Sequence, residues 1–318
     1  MNERRTLLLI GAGGFAGAHL RQAAEAAGMR VVGGSRSPAG TEVACDLLQP
    51  ASIAAAIDDV RPQVVVNLAG AASVAESWRE PGAAFAVNAT GALNLLEALA
   101  ASAFDAQLIC ASSAEVYGQA GPERMPLRED EPLRPVSPYG SSKAAMEVVC
   151  GQYVRSHGMR IAVVRSFNQL GPGQPAAFVA SALARQVAAA EVRGSDAVTL
   201  AVGNLSAARD FTDVRDGARA YREIAAGGAT GTYNLCSGKP VRISSLIEMM
   251  REATPLEVDT SPDPELTRPV DPPVVYGSAQ RLREATGWEP EIPLQRTVAE
   301  LLEWWRAELR GEREGAAA

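Results

Sequence analysis

Histidine is nearly absent from this 318-residue chain; with only two, imidazole has little part in any acid–base chemistry. Cysteine is scarce too. Cys45, Cys110, Cys150 and Cys236 lie far apart without a CxxC or metal-like spacing, and three of them sit in apolar stretches. This excludes a disulfide framework or a metal centre and predicts small buried hydrophobes in a reducing, cytoplasmic setting. Basic charge is in deficit. A formal net charge of −7 argues against a general nucleic-acid binder, because phosphate backbones attract basic surfaces. No apolar run approaches the roughly 20 residues that a bilayer span needs, so no membrane partner is expected. The opening "MNERRTLLLI" has the basic start and short apolar run of a signal peptide, but it leads directly into glycines and has the length of a strand, as in mature protein.

Hydrophobic residues make up 47% of the chain, enough to bury a large core in one or two domains. Short aliphatic and β-branched runs recur at 5–10, 30–33, 42–45, 63–69, 107–111 and 160–165. Most are apolar on both faces, as strands of a parallel sheet covered on each side must be. Stretches such as "GALNLLEALAAS" and "SKAAMEVVCGQYV" lie between them with apolar residues at helical spacing. This alternation predicts an α/β fold with a doubly wound parallel Rossmann sheet. After Arg165 the pattern changes to Gly/Pro-punctuated loops and helices, with a strand at "GTYNLCS". Residues 254–273 are too rich in proline for a regular element, and a final helix at 294–309 precedes a tail expected to fray. The expected division is an NAD(P)-binding domain over 1–166 with a return at about 208–236, and a smaller, loop-rich substrate domain over 167–207 and 237–318.

"LLLIGAGGFAGAHL" sets Gly11, Gly14 and Gly17 directly after the first strand. A tight turn, close backbone approach to a pyrophosphate and a helix N-terminus aimed at its charge require that pattern there. At the end of the second strand an acid would bind the adenosine ribose of NAD, whereas an arginine would accommodate a 2′-phosphate. "VVGGSRSP" has no Asp or Glu but offers Ser35 and Arg36, favouring NADP(H) over NAD(H). Asp46, after the third strand, could receive an adenine amino group or cap the next helix.

Tyr139 and Lys143 in "SPYGSSKAAME" are four residues apart and share one helix face. A phenol with a reference pKa of about 10 is a poor proton donor and acceptor near neutrality, and a neighbouring ammonium is expected to lower that value. "CASSAEVYG" supplies a hydroxyl at the C-terminal end of the fifth strand, where such sheets bind ligands.

The glycine turn, "ASSAEVYG" and YxxxK together resemble the extended short-chain dehydrogenase/reductase family, whose members act mainly on nucleotide-activated sugars. The resemblance covers nearly the whole chain. It implies Ser113 as catalytic hydroxyl, Tyr139 as acid–base and Lys143 as its helper, with further cofactor contacts from Phe15, Leu47, Leu68, Ala69, Ala71 and Asn88. "RSFNQLGPGQPAAFV", "VGNLSAARDFTDVRD", "YNLCSGKPVRI" and "TRPVDPP" are similar to the branch of GDP-mannose 4,6-dehydratases and GDP-4-dehydro-6-deoxy-mannose reductases. A GDP-sugar is then the expected substrate. Arg185, Arg209 and Arg268 would converge on its diphosphate, and Asn168 would meet a phosphate or sugar hydroxyl.

Glu115 stands where a dehydratase carries its C5 base, but Ala114 offers no proton beside it. The dehydratases' arginine- and serine-rich cofactor segment is also missing. The expectation is therefore NAD(P)H-dependent reduction of the 4-keto group of GDP-4-dehydro-6-deoxy-D-mannose to a GDP-6-deoxyhexose such as GDP-D-rhamnose. A dehydratase or another sugar-nucleotide epimerase is the alternative, and a cofactor-sensing binding protein is the non-enzymatic one. Surplus Ala, Val and Leu on the helices at 85–102 and 144–154 suggest a homodimer, with a tetramer as the alternative.

Overall fold

The computed structural model describes residues 5–266 and 271–317. In chain order its strands are β1 (Thr6–Ile10), β2 (Arg30–Ser35), β3 (Val43–Ala44), β4 (Val64–Asn67), β5 (Gln107–Ser113), β6 (Ile161–Ser166), β7 (Asn168–Leu170), β8 (Ala197–Val202), β9 (Ala208–Asp213), β10 (Gly231–Leu235), β11 (Pro240–Arg242), β12 (Glu257–Pro262) and β13 (Val274–Val275). Seven of them form one parallel sheet in the order β10-β6-β5-β4-β1-β2-β3. Between β1 and β4 the winding changes direction, which opens a crevice beyond the strands' C-terminal ends.

All five residues of β1 are buried, because both faces of the sheet are covered. Leu8, Ile10, Val65 and Leu108 face the layer of helices Pro50–Val60, Gly91–Ala101 and Pro138–His157. Leu7, Leu9, Val64, Val66 and Ile109 face the other layer, where helices Phe15–Ala26 and Val214–Gly227 pack with Trp288. Each such aliphatic side chain contributes about 1.5–3 kcal/mol when removed from water. The four cysteines are free and buried.

Residues 208–236 divide between the two sheets. Helix Val214–Gly227 and β10 belong to the large sheet, but β9 pairs with β7, β11 and β13 in a smaller one. The strand hides in the sequence because Arg209, Asp210 and Asp213 interrupt its apolar residues, although Asp210 and Asp213 are themselves buried. The proline-rich stretch also holds more order than its composition suggests. β12 pairs in parallel with β8, and its proline falls at the final position, where a missing N–H is tolerated. The last helix runs Leu294–Ala317, past the expected stop at 309, with Leu301, Leu302 and Trp305 buried against helix Val179–Arg193.

One segment departs from the membrane expectation. Pro81–Ala101 is helical throughout and, by length and composition, apolar enough to cross a bilayer, with a mean hydropathy of 1.3. In this fold Ala84, Ala92, Leu95, Leu96 and Leu99 bury one face, and 39% of its most apolar window is buried.

The glycine turn is required by space. Gly11 has φ +86°, and a Cβ on Gly17 would lie 2.1 Å from the Gly11 carbonyl oxygen. Helix Phe15–Ala26 can therefore sit directly on the turn, aimed into the crevice.

Candidate active site

The fifth strand ends at Ser113 and passes into a 3₁₀ turn, Ala114–Tyr117, which sets Glu115 beside the crevice. Opposite, Ser137 caps helix Pro138–His157 by accepting from the Gly140 amide at 3.0 Å, and Pro138 occupies the first helical turn. Tyr139 is therefore held by its backbone as well as its ring. Its N–H donates to Ser77 Oγ at 3.1 Å, and its carbonyl accepts from Ser142 Oγ at 2.7 Å. Its phenol lies beside the Ser113 side chain, close enough for that hydroxyl to favour the phenolate. Lys143, one turn on, donates to the Ala111 carbonyl at 2.8 Å. Ser113, Tyr139 and Lys143 are 9%, 8% and 7% exposed, so the crevice floor is nearly dry.

Burial dominates the electrostatics. Loss of water pushes Tyr139 up to about 12; the neighbouring Ser113 hydroxyl works against this and the Glu115 charge adds to it. Desolvation pushes Lys143 down to about 8, while nearby negative groups, Glu147 among them, pull it back. The expected lowering of the phenol by Lys143 does not occur. The ammonium is turned to the Ala111 carbonyl, and desolvation of the phenolate outweighs every other influence.

Behind the pair lies a buried ion pair that sequence reasoning missed. Arg165 of β6 meets Glu147 of the same helix through Nη2 at 2.7 Å and through Nε at 3.0 and 3.1 Å to its two oxygens. Both side chains are 7% exposed. Ser112 Oγ donates to Glu147, and Arg165 Nη1 donates to the Tyr117 hydroxyl and the Glu129 carbonyl. Tyr117 in turn donates to Asn234 of β10 at 2.6 Å. A charged residue inside the apolar run "RIAVVR" was the signal available in the sequence, because such residues are seldom buried unpaired.

The crevice fits a dinucleotide. Gly14 begins helix Phe15–Ala26 with no side-chain cap and no acid in the first turn, leaving its amides for an anion. Phe15 packs edge-on against His19, whose Nε2 contacts the Pro172 carbonyl at 2.9 Å and ties the loop after β7 to the glycine turn. Leu68 continues the sheet ladder from β4, and Ala69 N–H donates to Asn67. Asn88, in a π turn of helix Pro81–Ala101, grips both backbone groups of Ala71 and also donates to Ser142 at 2.9 Å. Gly70, not singled out in the sequence, lies between Asn88 and Lys143; a Cβ there would be 2.5 Å from Asn88 Oδ1 and 3.2 Å from Lys143 Nζ. Leu47 is buried, with its carbonyl held by Asn94. Asp46 caps its own turn by accepting from the Leu48 amide at 2.9 Å, rather than capping helix Pro50–Val60. Arg36 is exposed, whereas Ser35 donates to Glu42 at 3.1 Å.

The substrate candidates are less concentrated. Asn168 is exposed on β7 and donates to the Asp210 carbonyl at 3.2 Å. Arg209 is paired with Asp271 and donates to the Pro272 carbonyl at 2.8 Å. Arg185 stacks over Trp305 at 5.6 Å. These two arginines are thus held by different partners rather than forming one open fork, and Arg268 lies outside the described residues.

The family described as GDP-mannose 4,6 dehydratase matches residues 8–301. A GDP-6-deoxy-D-mannose reductase of Pseudomonas aeruginosa is 37% identical over 268 residues, 84% of this chain and 88% of that one. The solved structure of RMD from Pseudomonas aeruginosa complexed with NADPH superposes with a TM-score of 0.86 at 35% identity, covering 96% of this chain and 99% of that one. The UDP-glucose 4-epimerase of Thermus thermophilus, in complex with NAD, gives 0.82 at 30% identity, covering 95% and 99%.

The Arg165–Glu147 pair makes a stability prediction. Glu147→Gln leaves a buried guanidinium without its counter-charge, which typically costs about 3–5 kcal/mol. Urea denaturation should show a loss of that size, and a loss below about 1 kcal/mol would contradict the role given to the pair.

Proposed function

The chain belongs to the GDP-mannose 4,6 dehydratase family, within the extended short-chain dehydrogenases/reductases, and we propose that it reduces the 4-keto group of GDP-4-dehydro-6-deoxy-D-mannose. The product is a GDP-6-deoxyhexose such as GDP-D-rhamnose. The observation that carries this is the burial of Ser113, Tyr139 and Lys143 together at the crevice floor, in a chain 37% identical to a GDP-6-deoxy-D-mannose reductase. At neutral pH the phenol of Tyr139 carries the proton that reduction of a ketone must place on the carbonyl oxygen. The likeness to the P. aeruginosa reductase and to the NADPH complex of RMD supports the same substrate and NADP(H); the epimerase's NAD keeps NAD(H) as the second cofactor.

When bound, the reduced nicotinamide supplies the hydride for C4. The glycine turn and the free amides of helix Phe15–Ala26 would hold its pyrophosphate, and Lys143 its ribose hydroxyls. Ser113 donates a hydrogen bond to the keto oxygen, drawing electron density from C4. Tyr139 then passes its proton to that oxygen, and the phenolate left behind is stabilised by the Lys143 ammonium as it turns from Ala111. The seclusion that raises the phenol also strengthens each of these interactions. Arg185, Arg209, Arg268 and Asn168 are assigned to the GDP-sugar, which asks Arg209 to exchange Asp271 for phosphate. We assign residues up to 166, together with 214–235, to the cofactor unit and the remainder mainly to the sugar-nucleotide unit.

Glu115 is the residue that favours dehydration, because it stands two positions after Ser113, where a dehydratase carries its C5 base. A reductase has no C5 proton to remove, so Glu115 here shapes the pocket. Purified protein should oxidise NADPH with the keto-sugar and leave GDP-mannose untouched. Tyr139→Phe should lose about 10²–10⁴-fold in kcat with cofactor affinity nearly kept. Glu115→Gln should stay within about tenfold of the wild type. Conversion of GDP-mannose to a 4-keto-6-deoxy sugar, lost in Glu115→Gln, would establish a dehydratase instead.

We further propose that the protein is a homodimer through the helices at its surface. Val148 on helix Pro138–His157 is 63% exposed, and Phe85 on the adjacent helix Pro81–Phe85 is 39% exposed. Pairing across a two-fold axis would cover both. Sedimentation at micromolar concentration should give a dimer and Val148→Glu a monomer; a monomeric wild type contradicts the assignment.

A further inference from the structure

We propose that Glu42 sets the choice between the two nicotinamide cofactors, by occupying with its carboxylate the donors that a 2′-phosphate requires. The inference rests on the dinucleotide-binding role of the large sheet and is independent of which sugar is reduced.

In a doubly wound sheet the adenosine ribose lies at the end of the second strand. β2 ends at Ser35, and no acid follows it closely in sequence. The fold supplies one from further along. β3 runs parallel to β2 with Val43 opposite Gly34 and Ala44 opposite Ser35, so Glu42 enters the sheet beside the end of β2. Its carboxylate accepts from Arg21 Nη2 at 2.7 Å, Ser35 Oγ at 3.1 Å and, more weakly, the Ala39 amide at 3.4 Å. Donors from three separate elements thus converge on one anion. Gly33 makes the room, since a Cβ there would lie 2.1 Å from the Arg21 guanidinium and 2.9 Å from Glu42 Oε1. The Arg21 and Glu42 side chains are 29% and 15% exposed, fixed by one another yet within reach of a ligand.

The two cofactors make opposite demands on this cluster. A ribose diol donates hydrogen bonds, and the Glu42 carboxylate can accept them. A 2′-phosphate is an anion; it is repelled by Glu42 but matched by the guanidinium, hydroxyl and amide that Glu42 now holds. NADP(H) must therefore displace the carboxylate from Arg21 and Ser35, with exposed Arg36 beside them as a further cation. Glu42 tempers a preference that its partners would otherwise make strong.

Calorimetric titration of the ligand-free protein with NADP⁺ and with NAD⁺ tests this without catalysis. Glu42→Gln should raise the ratio of Kd for NAD⁺ to Kd for NADP⁺ by about tenfold or more, tightening NADP⁺ while weakening NAD⁺. Arg21→Met should lower that ratio about tenfold through NADP⁺ alone. Should Arg21→Met unfold, Glu42→Gln titrated with adenosine 2′,5′-bisphosphate and 5′-AMP must show the same rise. A ratio unchanged within about twofold in Glu42→Gln overturns the assignment and leaves the reductase proposal intact. A wild type that binds neither nucleotide overturns the dinucleotide-binding role itself.

Discussion

Below the helix that carries Tyr139 and Lys143, the guanidinium of Arg165 closes on the Glu147 carboxylate where water cannot follow. Withdrawing two such charges from solvent costs several kcal/mol each, so their attraction must be helped by ideal geometry and by further bonds. Both are present. Arg165 reaches both carboxylate oxygens, Ser112 donates to one of them as well, and Tyr117 and the Glu129 carbonyl take the two Nη1 protons. A well-packed apolar pair could give as much stability. What the ions add is orientation, since the fork fixes the turn of helix Pro138–His157 over β5 and β6. Lys143 and Tyr139 lie one and two helical turns from Glu147, so the same contact aims them at Ala111 and Ser113.

Once aimed, the two side chains are governed by dehydration. A buried phenol resists ionising, and a buried ammonium gives up its proton more readily. Together they make a neutral acid beside a cation held near its limit. Glu115 contributes by disfavouring a second negative charge close by.

The large sheet was legible from composition because its strands are buried on both sides and read as continuous apolar runs. The glycine turn and the YxxxK helix were legible because their constraints are local. Arg165 with Glu147, and Arg21 with Glu42, are separated along the chain and meet only when strands and helices assemble, so neither pair could be paired from sequence. β9 was hidden for a related reason. Its Asp210 looks like a loop residue until Ser237, Gly238 and Gly277 close around it with their amides. The arginines expected at a diphosphate mark the other limit, since a shared charge sign says nothing about which partners hold each side chain.

That Tyr139 is a neutral, buried acid can be measured directly. Ultraviolet difference titration of the wild type against Tyr139→Phe isolates the ionisation of this one phenol. The account predicts that the ring remains protonated throughout the neutral and mildly alkaline range and ionises only near the value of about 12 to which burial pushes it. A phenolate forming in the ligand-free protein between about pH 7 and 8, well below the ordinary phenol value of about 10, would contradict it.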